Sequence, residues 1–190
     1  MTKNSSHDSE EPLNLPKTIN SKLVLDKFIK VRCDHLQLNN GNSYDYYCLT
    51  PKADAVIIVG LTSDGKYVLN EEYRHPVAKT VLCFPGGYID ANETPEIAAK
   101  RELLEETGYE ANEFVFIGSA YPYPGISEQL IYYVLAKNAK KVAEPKLDPS
   151  EIMRTILKTK KDLEDAIRSN KPIDGIMCTA LYLYDLHTNR

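Results

Sequence analysis

Gly87-Tyr88-Ile89-Asp90-Ala91-Asn92-Glu93-Thr94-Pro95-Glu96-Ile97-Ala98-Ala99-Lys100-Arg101-Glu102-Leu103-Leu104-Glu105-Glu106-Thr107-Gly108-Tyr109 is the most informative stretch of this chain. From Thr94 onward it poses a helix problem. Thr94 suits the N-cap, Pro95 the first helical position, and Glu96 the positive end of the helix dipole. The run Ile97–Glu106 contains strong helix formers apart from Ile97, and Gly108 supplies a left-handed stop. A helix over Pro95–Thr107 is therefore predicted. Glu102, Glu105 and Glu106 stand at i, i+3 and i+4, so the three carboxylates share a face. Ile97 and Leu104 are expected on the opposite side as core anchors. Ala98 and Ala99 are expected to flank the acids and leave room beside them. Three like charges within one turn repel, and a hard divalent cation such as Mg²⁺ would offset that repulsion.

A helix ending Leu-Leu-Glu-Glu is ordinarily a solvated amphipathic face. What separates this one is the joint pattern: Gly87, Glu93 after a five-residue gap, and Arg101-Glu102-Leu103-x-Glu105-Glu106-x-Gly108-Tyr109 after a seven-residue gap. The pattern resembles the Nudix box at every fixed position. Nudix enzymes are metal-dependent hydrolases of a nucleoside diphosphate linked to another group. The resemblance implies that Glu102, Glu105 and Glu106 ligate Mg²⁺ (or Mn²⁺), with the backbone carbonyl of Gly86 as a further ligand. It also implies that Arg101 orients a glutamate of the set by ion pairing and that Glu93 supports it from the loop. The chemistry is consistent with this: metal ions neutralise a pyrophosphate and lower the pKa of a bound water, while a further carboxylate acts as base.

The remaining sequence bounds the setting. With 190 residues there is enough chain for one domain with a core, and a net charge of −4 gives no basic footprint for nucleic acid. The longest apolar run, around Ala55–Leu61, is too short to span a bilayer, and the polar N-terminus shows no secretory signal. Cys33, Cys48, Cys83 and Cys178 form no Cys-x-x-Cys pair and read as free thiols of a reducing compartment. The expectation is a cytoplasmic protein with no membrane or nucleic-acid partner.

Residues 1–16 read as a disordered tail. Residues 17–50 read as an N-terminal β element: Phe28–Arg32 and Asp34–Leu38 alternate, Asn39–Asn42 turns, and Tyr44–Leu49 resumes a strand. Residues 51–190 read as the hydrolase domain. Ala55–Val59 is a buried-strand candidate, Ser63-Asp64-Gly65 a hairpin turn and Tyr67–Tyr73 its partner strand. Val81–Phe84 leads into the box, and Phe114–Tyr121 and Gln129–Ala136 are further strands. Lys160–Ser169, with Thr159 as N-cap, and Ile173–Leu186 are helical. A mixed sheet with three helices makes an α/β fold, an α/β/α sandwich, in agreement with the Nudix fold.

The box does not name the substrate. Ala120–Glu128 is similar to the loop of ADP-ribose pyrophosphatases, with Pro124 sixteen residues beyond Gly108. Glu72-Tyr73-Arg74 resembles the family's aromatic-Arg segment, where the Arg contacts substrate phosphate. The Phe28–Leu49 hairpin resembles an element exchanged across a homodimer in that subgroup. Arg74, Pro124 and Gly125 are thus candidate substrate contacts, and of Tyr44, Tyr46 and Tyr47, whose aromatic faces suit a nucleobase, Tyr46 is taken as the candidate, although Pro-Gly pairs are ordinarily plain turns and strand tyrosines ordinarily pack. Two departures stand out. The subgroup loop often reads Pro-Gly-x-Ser-Asp-Glu, whereas here Gln129 follows Glu128, and glutamine cannot act as a base. The base is then Glu128 after a small loop shift, or Glu105 on the helix. The subgroup's Glu-Leu-Pro-Ala-Gly is replaced by Cys83-Phe84-Pro85-Gly86-Gly87. The resemblance implies hydrolysis of ADP-ribose to AMP and ribose 5-phosphate, the alternatives being another nucleoside diphosphate sugar such as GDP-mannose, or a non-catalytic nucleotide sensor.

Overall fold

The computed structural model describes residues 13–189. Residues 1–12 of the expected tail lie outside the described residues, while 13–16 are exposed without regular structure. The chain divides into two compact units at Thr50/Pro51.

The first unit is a three-stranded antiparallel sheet in the order β1 (Lys17–Asp26), β2 (Lys30–Gln37), β3 (Ser43–Thr50). The sequence patterns pick out no strand before Lys27, because every residue of β1 is exposed and two bulges interrupt its register on β2. Ladder hydrogen bonds, rather than a buried face, hold it in place.

The second unit contains β4 (Ala55–Thr62), β5 (Tyr67–Arg74), a 3₁₀ turn over His75–Val77, β6 (Lys79–Cys83), β7 (Gly86–Tyr88), α1 (Pro95–Thr107), β8 (Tyr109–Glu110), β9 (Glu113–Ala120), β10 (Ile131–Lys141), β11 (Met153–Lys158), α2 (Lys160–Arg168) and α3 (Gly175–Thr188). Its sheet runs β11-β5-β4-β10-β8, with β6 on β5, β7 on β4 and β9 on β10. β4 and β10 are parallel and the other pairs antiparallel, so the sheet is mixed as expected.

Period-two alternation sorts the strand side chains between two cores. Val56, Ile58, Val68, Val134 and Ala136 pack with Ala98, Ala99 and Leu103 of α1. Val59, Tyr67, Leu69, Tyr133 and Leu135 pack with Leu163 of α2 and Met177 and Ala180 of α3. This is the α/β/α sandwich. Truncating the fully buried Leu103 to Ala would cost about 2–5 kcal/mol.

The first helix spans the predicted residues, with Thr94 Oγ1 accepting the Ile97 N–H and Gly108 left-handed at φ 73°. Its buried face differs from expectation. Ala98 and Ala99 lie in the core rather than beside the acids, and Ile97 is 53% exposed. Positions 99, 103 and 106 form one helical stripe. Small residues at 98 and 99 let the helix approach the sheet, and Glu106 is carried to the core edge.

Thr159 caps α2 through a reciprocal pair with Asp162. The last helix begins at Gly175 rather than Ile173, because Asp174 is its N-cap and residues 172–174 pair along β6 through Leu82. Edge strand β11, which no pattern announced, pairs with β5.

Candidate active site

The carboxylates of α1 open onto a cleft of about 340 Å³. Gly86, Gly87 and Tyr88 of β7 form part of its wall. Lys52 and the loop residues Lys146, Asp148 and Glu151 complete it. A side chain at Gly87 would run into the Glu102 carboxylate and push it from its place beside Arg101. The Lys146 N–H donates to the Glu105 carbonyl at 2.7 Å, tying this loop to the end of α1.

Arg101 organises the acids. Its Nε and Nη2 donate to the two oxygens of Glu93 at 2.9 and 2.7 Å. Its Nη1 donates to Glu102 at 2.7 Å and to Glu105 at 3.3 Å, and Nη2 also reaches the Tyr88 carbonyl at 3.0 Å. The bidentate pair with Arg101 holds the Glu93 carboxyl at about 2, far below its ordinary range.

Glu106 meets a different environment. It is 8% exposed, and its Oε2 accepts from Asn70 Nδ2 at 2.9 Å and from the Gly86 N–H at 3.2 Å. Burial nonetheless pushes its carboxyl up to about 8, and the neighbouring charges of Glu102, Glu151 and Glu72 add to the rise. Burial also raises Glu102, against the opposing effect of Arg101. Behind Glu106 lies a small cavity of about 60 Å³ where Glu72 pairs with Arg74 at 2.8 Å.

The sequence-derived candidates thus fall into groups. Gly86, Arg101, Glu102, Glu105 and Glu106 line one cleft, and Glu93 joins it through Arg101. Arg74 lines the adjoining cavity. Pro124, Gly125 and Glu128 lie on an exposed turn outside the cleft lining, where the Tyr123 carbonyl accepts from Ile126 and Ser127. Gln129 is structural, its Nε2 donating to the Ala53 carbonyl at 3.0 Å. Tyr46 belongs to the three-stranded sheet, with its ring 6.3 Å from Tyr44. Glu151, Asp148, Lys146 and Lys52 were not anticipated. The first three sit on a polar loop ahead of the edge strand β11, and Lys52 on the short connection ahead of β4.

Hard oxygen donors, carboxyls raised by burial with neighbouring negative charge adding to it, and the cleft beside Glu102 suit a divalent cation. Among the described residues no three acids converge as a preformed cage, and Arg101 engages one oxygen each of Glu102 and Glu105, which leaves the second oxygen of each to face a cation. A larger groove of about 650 Å³ lies between β11 and α2, but its acids are largely paired: Glu71 with Arg154 and Asp165 with Lys161. Chemistry rather than size therefore singles out the carboxylate cleft.

The mixed-sheet sandwich with a carboxylate helix over a glycine-lined cleft defines a pyrophosphohydrolase scaffold. Residues 51–172 match the NUDIX domain, and the chain belongs to the Nudix family. It is 29% identical over 161 residues to a methanol dehydrogenase activator of Bacillus methanolicus, covering 84% of this chain and 86% of that protein. It is 27% identical over 172 residues to the ADP-ribose pyrophosphatase of Bacillus subtilis, covering 90% of this chain and 92% of the relative. In fold it resembles the crystal structure of an ADP compounds hydrolase, with a TM-score of 0.84 at 24% identity, over 94% of this chain and 97% of the other.

Proposed function

We propose that this Nudix pyrophosphohydrolase cleaves ADP-ribose to AMP and ribose 5-phosphate with Mg²⁺ or Mn²⁺. The observation that carries the reading is the Arg101-ordered carboxylate cleft, and the likeness to an ADP-ribose pyrophosphatase supports the substrate. Glu102, Glu105 and Glu106, with the Gly86 carbonyl, would hold the metal. Bound there, it would neutralise diphosphate charge and lower the pKa of a water.

The chain's own groups do the rest. Asn70 and Gly86 fix one oxygen of Glu106, and Glu93 locks Arg101 so that Glu102 and Glu105 keep their places. A carboxylate must take the proton from the attacking water. Glu105 and Glu151 stand on the cleft wall for this role, whereas Glu128 stands outside it. Arg74, held on Glu72 in the cavity beside Glu106, would add positive potential for substrate phosphate from that position. Pro124 and Gly125 keep their assignment as substrate contacts on the strength of the loop resemblance, and Tyr46 keeps its own because an aromatic face suits a nucleobase.

The same reading includes a cytoplasmic homodimer. No helix among the described residues is long and apolar enough to cross a membrane, and exposed Ile19, Leu23, Leu25 and Phe28 offer apolar area to a second copy. A monomer by sedimentation would remove the dimer.

The deciding experiment is metal-dependent turnover of ADP-ribose beside GDP-mannose, ADP-glucose, NADH and a diadenosine polyphosphate, with products resolved by chromatography. Preference for ADP-ribose yielding AMP is expected. Preference for another compound would keep the cleft chemistry and discard the substrate. Nucleotide binding without turnover of any of them would favour the sensor.

A further inference from the structure

We propose that the substrate diphosphate is gripped by the ammonium groups of Lys52 and Lys146, and that Arg101, although inside the cleft, takes no part in binding it. The inference rests on the pyrophosphohydrolase reading and names the charges that recognise the diphosphate.

The donors of Arg101 are all engaged. A guanidinium has five N–H groups. Those of Arg101 serve Glu93 twice, Glu102, Glu105 and the Tyr88 carbonyl. None is left for a phosphate oxygen. Withdrawing one would leave a partly buried carboxylate uncompensated, and that costs more than a new surface contact returns.

Two other cations line the same cleft, Lys52 and Lys146. Neither ammonium has a hydrogen bond or ion pair to the described residues, although six acids line the cleft with them. Lys52 Nζ instead lies 6.0 Å from the ring centroid of Tyr88, whose carbonyl Arg101 holds. Lys146 is placed by its own N–H, which donates to the Glu105 carbonyl at 2.7 Å, so its side chain springs from a point fixed to the carboxylate helix. One lysine thus stands by the glycine strand and the other by the end of α1, both with all ammonium donors available. A diphosphate carries more negative oxygens than metal ligation alone satisfies, and lysine serves phosphate as a mobile point charge.

The test is calorimetric binding of ADP, with Mg²⁺, to the full chain and to Lys52→Gln, Lys146→Gln and the double variant. Binding needs no turnover, so it is separable from the activity. Each single change should weaken ADP binding by roughly tenfold, about 1.4 kcal/mol, with the double variant weaker still. Lys52→Arg and Lys146→Arg should restore most of the affinity. Steady-state assays of the same variants should show a raised KM with kcat held within about twofold, because the lost contact is made in the ground state as well as the transition state. Undiminished ADP binding in the double variant would overturn the proposal even if the wild type hydrolyses ADP-ribose. Weakened ADP binding in the variants, with a wild type that binds ADP but hydrolyses nothing, would keep the lysine grip and discard the activity.

Discussion

Glu106→Gln should separate stability from function in opposite directions. In the folded chain the Glu106 carboxyl is pushed up to about 8 from an ordinary 4.5, chiefly by burial. An unfolded chain releases this proton near its ordinary value, whereas the folded chain holds it to about 8. Folding is therefore unaffected by the group at low pH, loses stability as pH rises through this window, and bears the full cost above it. At about 1.4 kcal/mol per tenfold change in proton affinity, the ceiling is roughly 5 kcal/mol. The open cleft beside the carboxyl lets water relieve part of that, leaving roughly 2–3 kcal/mol. Glutamine keeps an acceptor for Asn70 and Gly86 and carries no charge. Urea unfolding in the presence of a chelator, at one protein concentration, should then find Glu106→Gln more stable than wild type near pH 8 and equal to it near the ordinary carboxyl pKa. Mg²⁺ should stabilise wild type at the higher pH and leave the variant almost unchanged. Turnover should fall by about 10²-fold or more, the scale of losing one electrostatic stabiliser. A variant less stable than wild type near pH 8, or a stability difference independent of pH, would refute the reasoning.

Glu93 runs the other way. Its carboxyl is held at about 2 by Arg101, so its contribution is present above its ordinary range and disappears as pH falls toward that value. Acid unfolding of Glu93→Gln should show a smaller loss of stability over that interval than wild type, and a parallel curve would argue against the pair. Among the candidate bases, Glu151→Gln and Glu105→Gln should slow single-turnover hydrolysis more than Glu128→Gln, because only the first two line the cleft. A larger effect at Glu128 would require the exposed turn to move in. Gln129→Ala should lower thermal stability by about 1 kcal/mol through loss of its bond to Ala53, with kcat little changed; a large kcat loss would give Gln129 a direct role.

Most of the scaffold was legible because its signals are local. Thr94, Pro95 and Gly108 bound α1 by capping rules, and Thr159 bounds the start of α2, each lying at or next to the helix end it marks. The apolar runs within Ala55–Val59 and Gln129–Ala136 are likewise local signals of strands, and the pleat of the folded strands sends alternate side chains to the two cores. Ile97 and Ala99 were misplaced because helical periodicity defines stripes without saying which one meets the sheet. β1 and β11 escaped notice because one is wholly exposed and the other is a short edge strand, so neither shows a clean buried face.

The sequence by itself determined the family, the helix and the three carboxylates on one face of it, since a rigid helical period converts spacing into direction. Only the tertiary structure decided what each carboxylate experiences. Asn70, 36 residues away in sequence, reaches Glu106 through the sheet, and the loop carrying Lys146 and Glu151 is tied to the end of the same helix. Burial and neighbouring charge set a carboxyl's proton affinity, and both come from segments remote in sequence. Three glutamates alike in the sequence therefore become one buried acid, one held in the cleft by Arg101 and one half exposed at its edge.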